Sequence, residues 1–189
     1  MRFWSKRFVL LITAVTGLGV IGCSLPPSRI AFIEKIAKDN RKIAKSTRAF
    51  RAAIIPLKKG ETVNAGQVRS AYEDMEKTVK EVQAEMDAQA LPPSSSSAKA
   101  FLSAYIDYLK GQQQILTDDM QPIMKKVEEP GGSPAEKWAF VGDKLAKVAA
   151  KEAADYVPLL AAQTAYASEH NYTVQTLDTY LEAQKNGKQ

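Results

Sequence analysis

The chain of 189 residues is short of the side chains that carry most catalytic and metal chemistry. It has one cysteine, Cys23, and one histidine, His170. One cysteine cannot form an internal disulfide, and no Cys-x-x-Cys-His motif is present for covalent haem. A ferritin-like di-metal centre needs a Glu-x-x-His motif from each of two helices. His170 directly follows Glu169, which is the wrong spacing.

Motifs for nucleotide binding and acyl transfer are also missing. The sequence has no Walker loop, no Gly-x-Ser-x-Gly elbow and no cysteine–histidine arrangement that would activate a nucleophile. A b-type haem would need a methionine and a histidine facing inward, and His170 near a predicted helix end does not suit that role. We therefore expect no enzymatic activity, no cofactor and no metal site.

The amino terminus has the charge order of a secretory signal. Arg2, Lys6 and Arg7 precede an almost wholly apolar run, residues 8–21, and no acidic residue accompanies them. Crossing a bilayer core takes about 20 residues, so this run is short for a transmembrane helix. The pattern predicts a signal segment over residues 1–22 that is removed by cleavage.

Val20-Ile21-Gly22-Cys23 ends that run. This tetrapeptide resembles the lipobox of bacterial lipoproteins, and the resemblance covers Met1–Ser24 only. It implies cleavage before Cys23, a diacylglycerol on the Cys23 thiol, and anchoring of the mature chain to a membrane. Ser24 after the cysteine implies the outer membrane, with the protein facing the periplasm. The alternatives are a free thiol after an ordinary signal peptide, or an uncleaved anchor.

A cell-envelope location argues against nucleic acid as a partner, and removal of the signal makes the chain less basic. Without the three amino-terminal bases, 23 lysines and arginines stand against 21 acids. Residues 23–28 would form a lipidated tether that includes Pro26 and Pro27, and residues 29–189 a single helical domain. The five residues that follow Cys23, residues 24–28, reach at most about 17 Å, so the tether would hold the domain close to the membrane.

Apolar residues recur at alternating spacings of three and four over most of the domain, which predicts amphipathic helices. The first predicted helix spans residues 29–57, the second 65–90, the third 98–127, and the fourth starts at Ser133. The predicted inward positions are Ile33, Ile36, Asn40, Ile43, Thr47, Phe50, Ile54 and Leu57; Val68, Tyr72, Met75, Val79, Val82 and Met86; Leu102, Tyr105, Leu109, Leu116, Ile123 and Val127; and Trp138, Val141, Leu145, Val148, Leu159, Ala162 and Tyr166.

Three short connections between long helices predict an all-α, antiparallel four-helix bundle. Pro122 is expected to bend the third helix by removing one backbone hydrogen bond, and Pro158 to kink the fourth. Ser133, Pro134 and Glu136 form a helix-start signature. His170 is expected to mark the end of the fourth helix, and residues 174–181 to add a short helical appendage.

Two sets of polar residues interrupt the apolar stripes. Asn40 is interpreted as a residue that fixes helix register, the alternative being a ligand contact. Glu152 and Asp155 could be a buried acidic pair for metal or proton chemistry, but a surface or cleft position is favoured because acids are rarely buried without a partner. A small-molecule site between helices would involve Asn40, Gln112, Glu152 and Asp155.

Basic residues concentrate in the first predicted helix, since residues 28–59 hold ten bases and two acids. Six of them are predicted on outer helix positions, where pairing within the bundle is not their main role. They are Lys35, Lys38, Arg41, Lys42, Lys45 and Arg48. This stripe predicts a surface that binds anionic phospholipid or an acidic envelope protein, the alternative being an ordinary solvated face.

The sequence thus favours a membrane-anchored envelope lipoprotein that acts as a structural or adaptor module. One alternative is a bundle that senses a small ligand held between its helices. The other is an accessory lipoprotein similar in size to the pilotins of secretion systems, although no pilotin motif is present.

Overall fold

A computed structural model describes residues 27–89 and 96–169, which are almost entirely helical and contain no strand. The predicted all-α class is therefore confirmed for this part of the chain. The elements are α1 (Pro27–Ile54), α2 (Ala65–Asp87), α3 (Ser96–Ile115), α4 (Gln121–Glu128) and α5 (Pro134–Glu169). The predicted signal segment, Cys23, His170 and the carboxy-terminal appendage lie outside the described residues.

The connection between α1 and α2 has identifiable chemical causes. A 3₁₀ turn, Ile55–Lys59, follows α1 and contains Pro56, which cannot donate a backbone hydrogen bond. Gly60 adopts φ of 78°, a left-handed conformation that glycine accepts without steric cost, and its N–H donates to the Leu57 carbonyl at 3.0 Å. The Asn64 side chain then accepts a hydrogen bond of 3.0 Å from the Gln67 N–H and starts α2.

The third predicted helix is interrupted before Pro122. The segment Leu116–Met120 is a π-helical turn between α3 and α4, with the Gln121 N–H donating to the Leu116 carbonyl. In an α-helix the Asp118 carbonyl would accept from residue 122, but proline has no N–H. The Lys144 ammonium of α5 donates to that carbonyl instead, at 2.8 Å. The regular α-helical hydrogen-bond pattern is therefore interrupted just before Pro122.

The long helix α5 begins with the predicted capping box. Glu136 N–H donates to Ser133 Oγ at 3.2 Å, and the Ser133 N–H donates to Glu136 Oε2 at 2.7 Å. The helix continues through Pro158. Pro158 and Ala154 are both exposed, so water can bond the Ala154 carbonyl that the proline leaves without an amide donor.

The predicted apolar stripes meet in one core. All predicted inward positions of α1 to α4, except half-buried Thr47, are buried. On α5, Trp138 and Ala162 are partly buried and pack against that core, whereas the other five predicted positions are buried. Phe32, Phe101 and Tyr166 join three helices, with ring centroids 5.6–5.9 Å apart. Burial of each such side chain stabilises the fold by about 1.5–3 kcal/mol.

Candidate functional site

Four of the six predicted basic residues lie in line on the exposed face of α1. Lys38, Arg41, Lys45 and Arg48 follow one another at spacings of three, four and three residues, and all are exposed. At about 1.5 Å per residue this line is about 15 Å long. Within residues 27–89 and 96–169, none of the four forms an ion pair. We call these four residues the basic stripe.

The other two predicted bases, Lys35 and Lys42, serve a different purpose. Both are half-buried and bond Glu85 of α2, with Lys42 Nζ 3.2 Å from Glu85 Oε1. Hydrogen bonds from Lys35 and Lys42 lower the pKa of Glu85. The prediction that these two lysines are not placed for pairing within the bundle is therefore wrong, because they link α1 to α2.

Asp39 completes this ionic cluster. It is fully buried, with Lys35 Nζ 3.1 Å from Oδ2 and Lys42 Nζ 3.0 Å from Oδ1. The hydrogen bond to Asp39 is the main cause that raises the pKa of Lys42. A buried carboxylate needs such partners, since an unpaired one would cost several kcal/mol. Asp39 therefore holds Lys35 and Lys42 in ion pairs, so that of the six predicted bases only those of the basic stripe are unpaired among the described residues.

The polar seam residue Asn40 is buried and has a partner on α3. Tyr105 Oη donates to Asn40 Oδ1 at 2.8 Å, and both side chains are less than 5 % exposed. Burial is the main cause that raises the pKa of Tyr105 well above its ordinary value. This bond can form in only one alignment of α1 with α3, and it supports the interpretation of Asn40 as a register residue.

Glu152 lies in the core, only 2 % exposed, whereas Asp155 is half-buried. The prediction of a surface or cleft position is therefore wrong for Glu152. The physical reason is its spacing, because Glu152 follows buried Val148 by four residues and precedes buried Leu159 by seven. Gln112 of α3, also predicted as a site residue, is 5 % exposed and lies in the same region of the core.

A cavity of about 10 Å³ brings Gln112 and Glu152 together. Gln112 Nε2 and Glu152 Oε2 have no hydrogen-bond partner among the described residues. Burial, and to a lesser extent Asp155, raises the pKa of Glu152 to about 7. The remaining wall of the cavity consists of Ile43, Thr47, Met75, Val79, Ile115, Leu116 and Met120.

Asp155 packs directly against the backbone of α3. A Cβ atom at Gly111 would lie 2.4 Å from Asp155 Oδ2, so only glycine leaves room for this carboxylate. Tyr108 and Tyr156 also lie in this region, and burial raises the pKa of Tyr156 to about 12. For Tyr108, burial and then the nearby Glu152 raise the pKa above its ordinary value. The predicted small-molecule set is therefore divided: Gln112, Glu152 and Asp155 cluster, whereas Asn40 is bonded to Tyr105.

Two further findings concern the described residues as a set. They contain no group of three or more histidine, cysteine, aspartate or glutamate side chains that could hold a metal ion. Their helices include none with both the length and the apolarity needed to cross a bilayer. Cys23, the predicted lipidation site, is outside this part of the chain.

Comparison with protein-family models, with curated proteins and with solved structures finds no match to this chain.

Proposed function

We propose that this chain is an envelope lipoprotein, anchored by lipid at Cys23, that acts as a structural or adaptor module. The observation that carries the proposal is the basic stripe of Lys38, Arg41, Lys45 and Arg48, exposed and without ion pairs among the described residues. Its first member lies 15 residues after Cys23. The stripe is therefore close in sequence to the proposed anchor.

The arrangement that we propose for the domain is an antiparallel bundle. Three contacts between helix ends support it. Lys35 near the start of α1 bonds Glu85 near the end of α2, and the Ser97 N–H near the start of α3 donates to Glu169 Oε2 at the end of α5. Arg69 near the start of α2 bonds Glu128 at the end of α4. In such a bundle the basic stripe runs along the long side of the molecule.

The proposed partner of the basic stripe is an anionic phospholipid surface. A base near such a surface contributes about 1 kcal/mol before salt screening, so four in line give a preference that a lipid anchor alone does not supply. With α1 lying along the membrane, the stripe faces the headgroups and the opposite side of the bundle is free for an envelope protein.

The test uses the full lipidated chain in proteoliposomes. Ala52 and Ala84 are exposed on α1 and α2, so each can be changed to cysteine and labelled with a fluorophore. We expect a quencher in the lipid to dim the Ala52→Cys label in anionic vesicles at low salt, and to dim it less in neutral vesicles. The Ala84→Cys label should change little with lipid charge.

A charge-matched pair of variants completes that experiment. Replacing the four stripe bases with glutamate should remove the lipid-dependent quenching at residue 52. Replacing four other exposed lysines, Lys77, Lys80, Lys99 and Lys110, with glutamate changes the net charge equally and should preserve it. Equal quenching of both variants, or quenching that salt does not weaken, would exclude the membrane as the partner of the stripe.

The anchor itself has a separate test. Changing Cys23 to alanine should abolish incorporation of radioactive palmitate and leave the precursor unprocessed, because the proposed acylation and cleavage both need the sulfur. Incorporation of label into the Cys23→Ala protein would refute the lipidation site without affecting the result for the basic stripe.

A ligand-sensing bundle is the second candidate function, and the cavity between Gln112 and Glu152 is the observation that favours it. A volume of about 10 Å³ accommodates one water molecule and no metabolite. The chemical species sensed at this position would therefore have to be very small.

A further inference from the structure

Two buried polar side chains on different helices contribute opposite hydrogen-bonding groups to one cavity. Gln112 of α3 contributes an amide donor, Nε2, and Glu152 of α5 contributes a carboxyl oxygen, Oε2. Both side chains are at least 95 % buried, and neither atom has a partner among the described residues. The volume of about 10 Å³ suits one water molecule, which can accept from the amide and bond the carboxyl group.

Among the described residues, no basic side chain lines the cavity around Glu152. From α5 itself Asp155 acts on it, and from α3 the phenol of Tyr108 is close enough to respond to its charge. The walls from α1, α2 and the π-helical turn are Ile43, Thr47, Met75, Val79, Leu116 and Met120, none of which titrates. A carboxylate in these surroundings is strongly destabilised unless it is neutralised.

A proton neutralises Glu152 better than a metal cation does. Calcium and magnesium require about six oxygen ligands or more, and of the described residues only Glu152, Gln112 and Thr47 offer side-chain oxygens to the cavity. No group of three acidic, histidine or cysteine side chains is found in the described residues. A proton needs no coordination shell and converts the carboxylate into a neutral hydrogen-bonding group.

We propose that Glu152, Gln112 and the cavity between them form a proton-binding site, which makes the helical bundle a sensor of acidity. With the proton bound, the neutral carboxyl group and Gln112 share one water molecule and α5 stays packed on α3. Loss of the proton places a charge in the core and favours opening of this contact. The site is independent of the proposed lipid anchor and of the basic stripe.

The pKa of Glu152, raised by burial to about 7, agrees with this geometry. A pKa that is higher in the folded than in the unfolded chain stabilises the fold most below the unfolded pKa. This stabilisation declines as the pH rises and is lost above the folded pKa. The window therefore runs from about pH 4.5 to about pH 7, and in it the unfolding constant should rise about three-hundredfold.

The first experiment compares three full chains in nonionic detergent by urea unfolding from pH 4 to pH 9: the unmodified chain, Glu152→Gln, and Glu61→Gln as a control at an exposed position. We expect the unfolding constant of the unmodified chain, divided by that of Glu152→Gln, to rise through the window and level above pH 7. The ratio to Glu61→Gln should lack this rise. A pH-independent ratio to Glu152→Gln overturns the proposal.

The second experiment needs no folded variant of Glu152. Sequentially assigned carbon-13 resonances give the titration midpoint of its side-chain carboxyl group in the unmodified chain. A midpoint near 7 supports the proposal, and one at the ordinary value of 4.5 overturns it. In the proposed site Gln112 acts on the carboxyl group through the shared water molecule. Gln112→Met removes its amide donor, which would stabilise the charged form, so it should raise the midpoint. A titration midpoint of Glu152 that Gln112→Met leaves unchanged would overturn the proposal that Gln112 and Glu152 form one site.

Discussion

Tyr105 and Asn40 are 65 residues apart in the sequence and are joined by a buried hydrogen bond of 2.8 Å. Phenol and amide both lie in an otherwise apolar seam, where each would be costly without the other. The pair therefore penalises every alignment of α1 with α3 that separates them. Apolar stripes alone would tolerate several such alignments, because isoleucine, leucine and valine pack in many ways.

Replacing Tyr105 with phenylalanine should destabilise the fold by about 1–3 kcal/mol, because Asn40 Oδ1 then stays buried without a donor. The double variant Asn40→Leu with Tyr105→Phe should recover part of this loss, so the two changes will not be additive. Tyr72→Phe is the control, since the Tyr72 hydroxyl has no hydrogen-bond partner among the described residues. Urea unfolding of the unmodified chain, Asn40→Leu, Tyr105→Phe, the double variant and Tyr72→Phe measures the five free energies that this comparison needs. Equal losses for Tyr72→Phe and Tyr105→Phe would contradict the register role.

Gly111→Ala should be destabilising even though alanine is favoured over glycine inside a helix by about 1 kcal/mol. The added Cβ would lie 2.4 Å from Asp155 Oδ2 and 2.9 Å from Asp155 Cγ, and this short side chain has little freedom to withdraw. Gly142→Ala is the matched control, because its Cβ meets nothing within 4 Å and should stabilise by about 1 kcal/mol. In an Asp155→Ala background, Gly111→Ala should raise the free energy of unfolding, which urea unfolding measures. If it still lowers that free energy, the added methyl group clashes with a group other than Asp155.

Lys144→Met should destabilise the fold by about 1–2 kcal/mol, because the Asp118 carbonyl and the Asp119 carboxylate both lose their ammonium donor. Pro122 has no N–H, so it cannot donate to the Asp118 carbonyl in place of Lys144. Lys147→Met is the comparison on the same helix. Within the described part of the chain the ion pair of Lys147 is with exposed Asp143, so this variant should change the stability little. Thermal unfolding of the two variants checks this, and equal melting temperatures would mean that water replaces Lys144 without cost.

Glu85 should contribute to stability in the opposite pH direction from Glu152. Hydrogen bonds from Lys35 and Lys42 lower its pKa in the folded chain. Its stabilisation is therefore complete above the ordinary value of 4.5 and is lost as the pH falls through the lowered value. The difference in urea midpoint between the unmodified chain and Glu85→Gln should be largest at pH 7 and should shrink toward pH 3. Glu81→Gln, which removes an exposed acid 3.9 Å from Lys77, should show no such trend.

The helices of the described residues were predictable because their stripes are regular over many turns. The second stripe, Val68 to Met86, is buried at every predicted position. The capping box at Ser133 was equally predictable, since it depends on residues only three apart. Periodicity within a helix and hydrogen bonds between near neighbours can both be recognised from the sequence.

Contacts between helices were not predictable in the same way. Lys35 and Lys42 occupy outer positions of α1, and the approach of Glu85 from α2 together with buried Asp39 explains why they form ion pairs within the bundle. The prediction for Glu152 is wrong because acids are rarely buried, whereas its position on the apolar stripe between Val148 and Leu159 places it in the core. The periodicity of the stripe indicates its burial more reliably than its charge does.

The π-helical turn Leu116–Met120 also sets the phase of everything that follows it on this helix. Buried residues advance in steps of four across it, from Leu116 to Met120 to Met124, whereas an average α-helical turn takes 3.6 residues. The turn thus holds one residue more than an α-helix of the same rotation would hold. Deleting one residue here and restoring ordinary helical geometry would leave α4 facing the core, because seven α-helical residues rotate by about 700°, close to two full turns. Ile123 and Val127 would stay buried, so a chain one residue shorter at this place should still fit the same bundle.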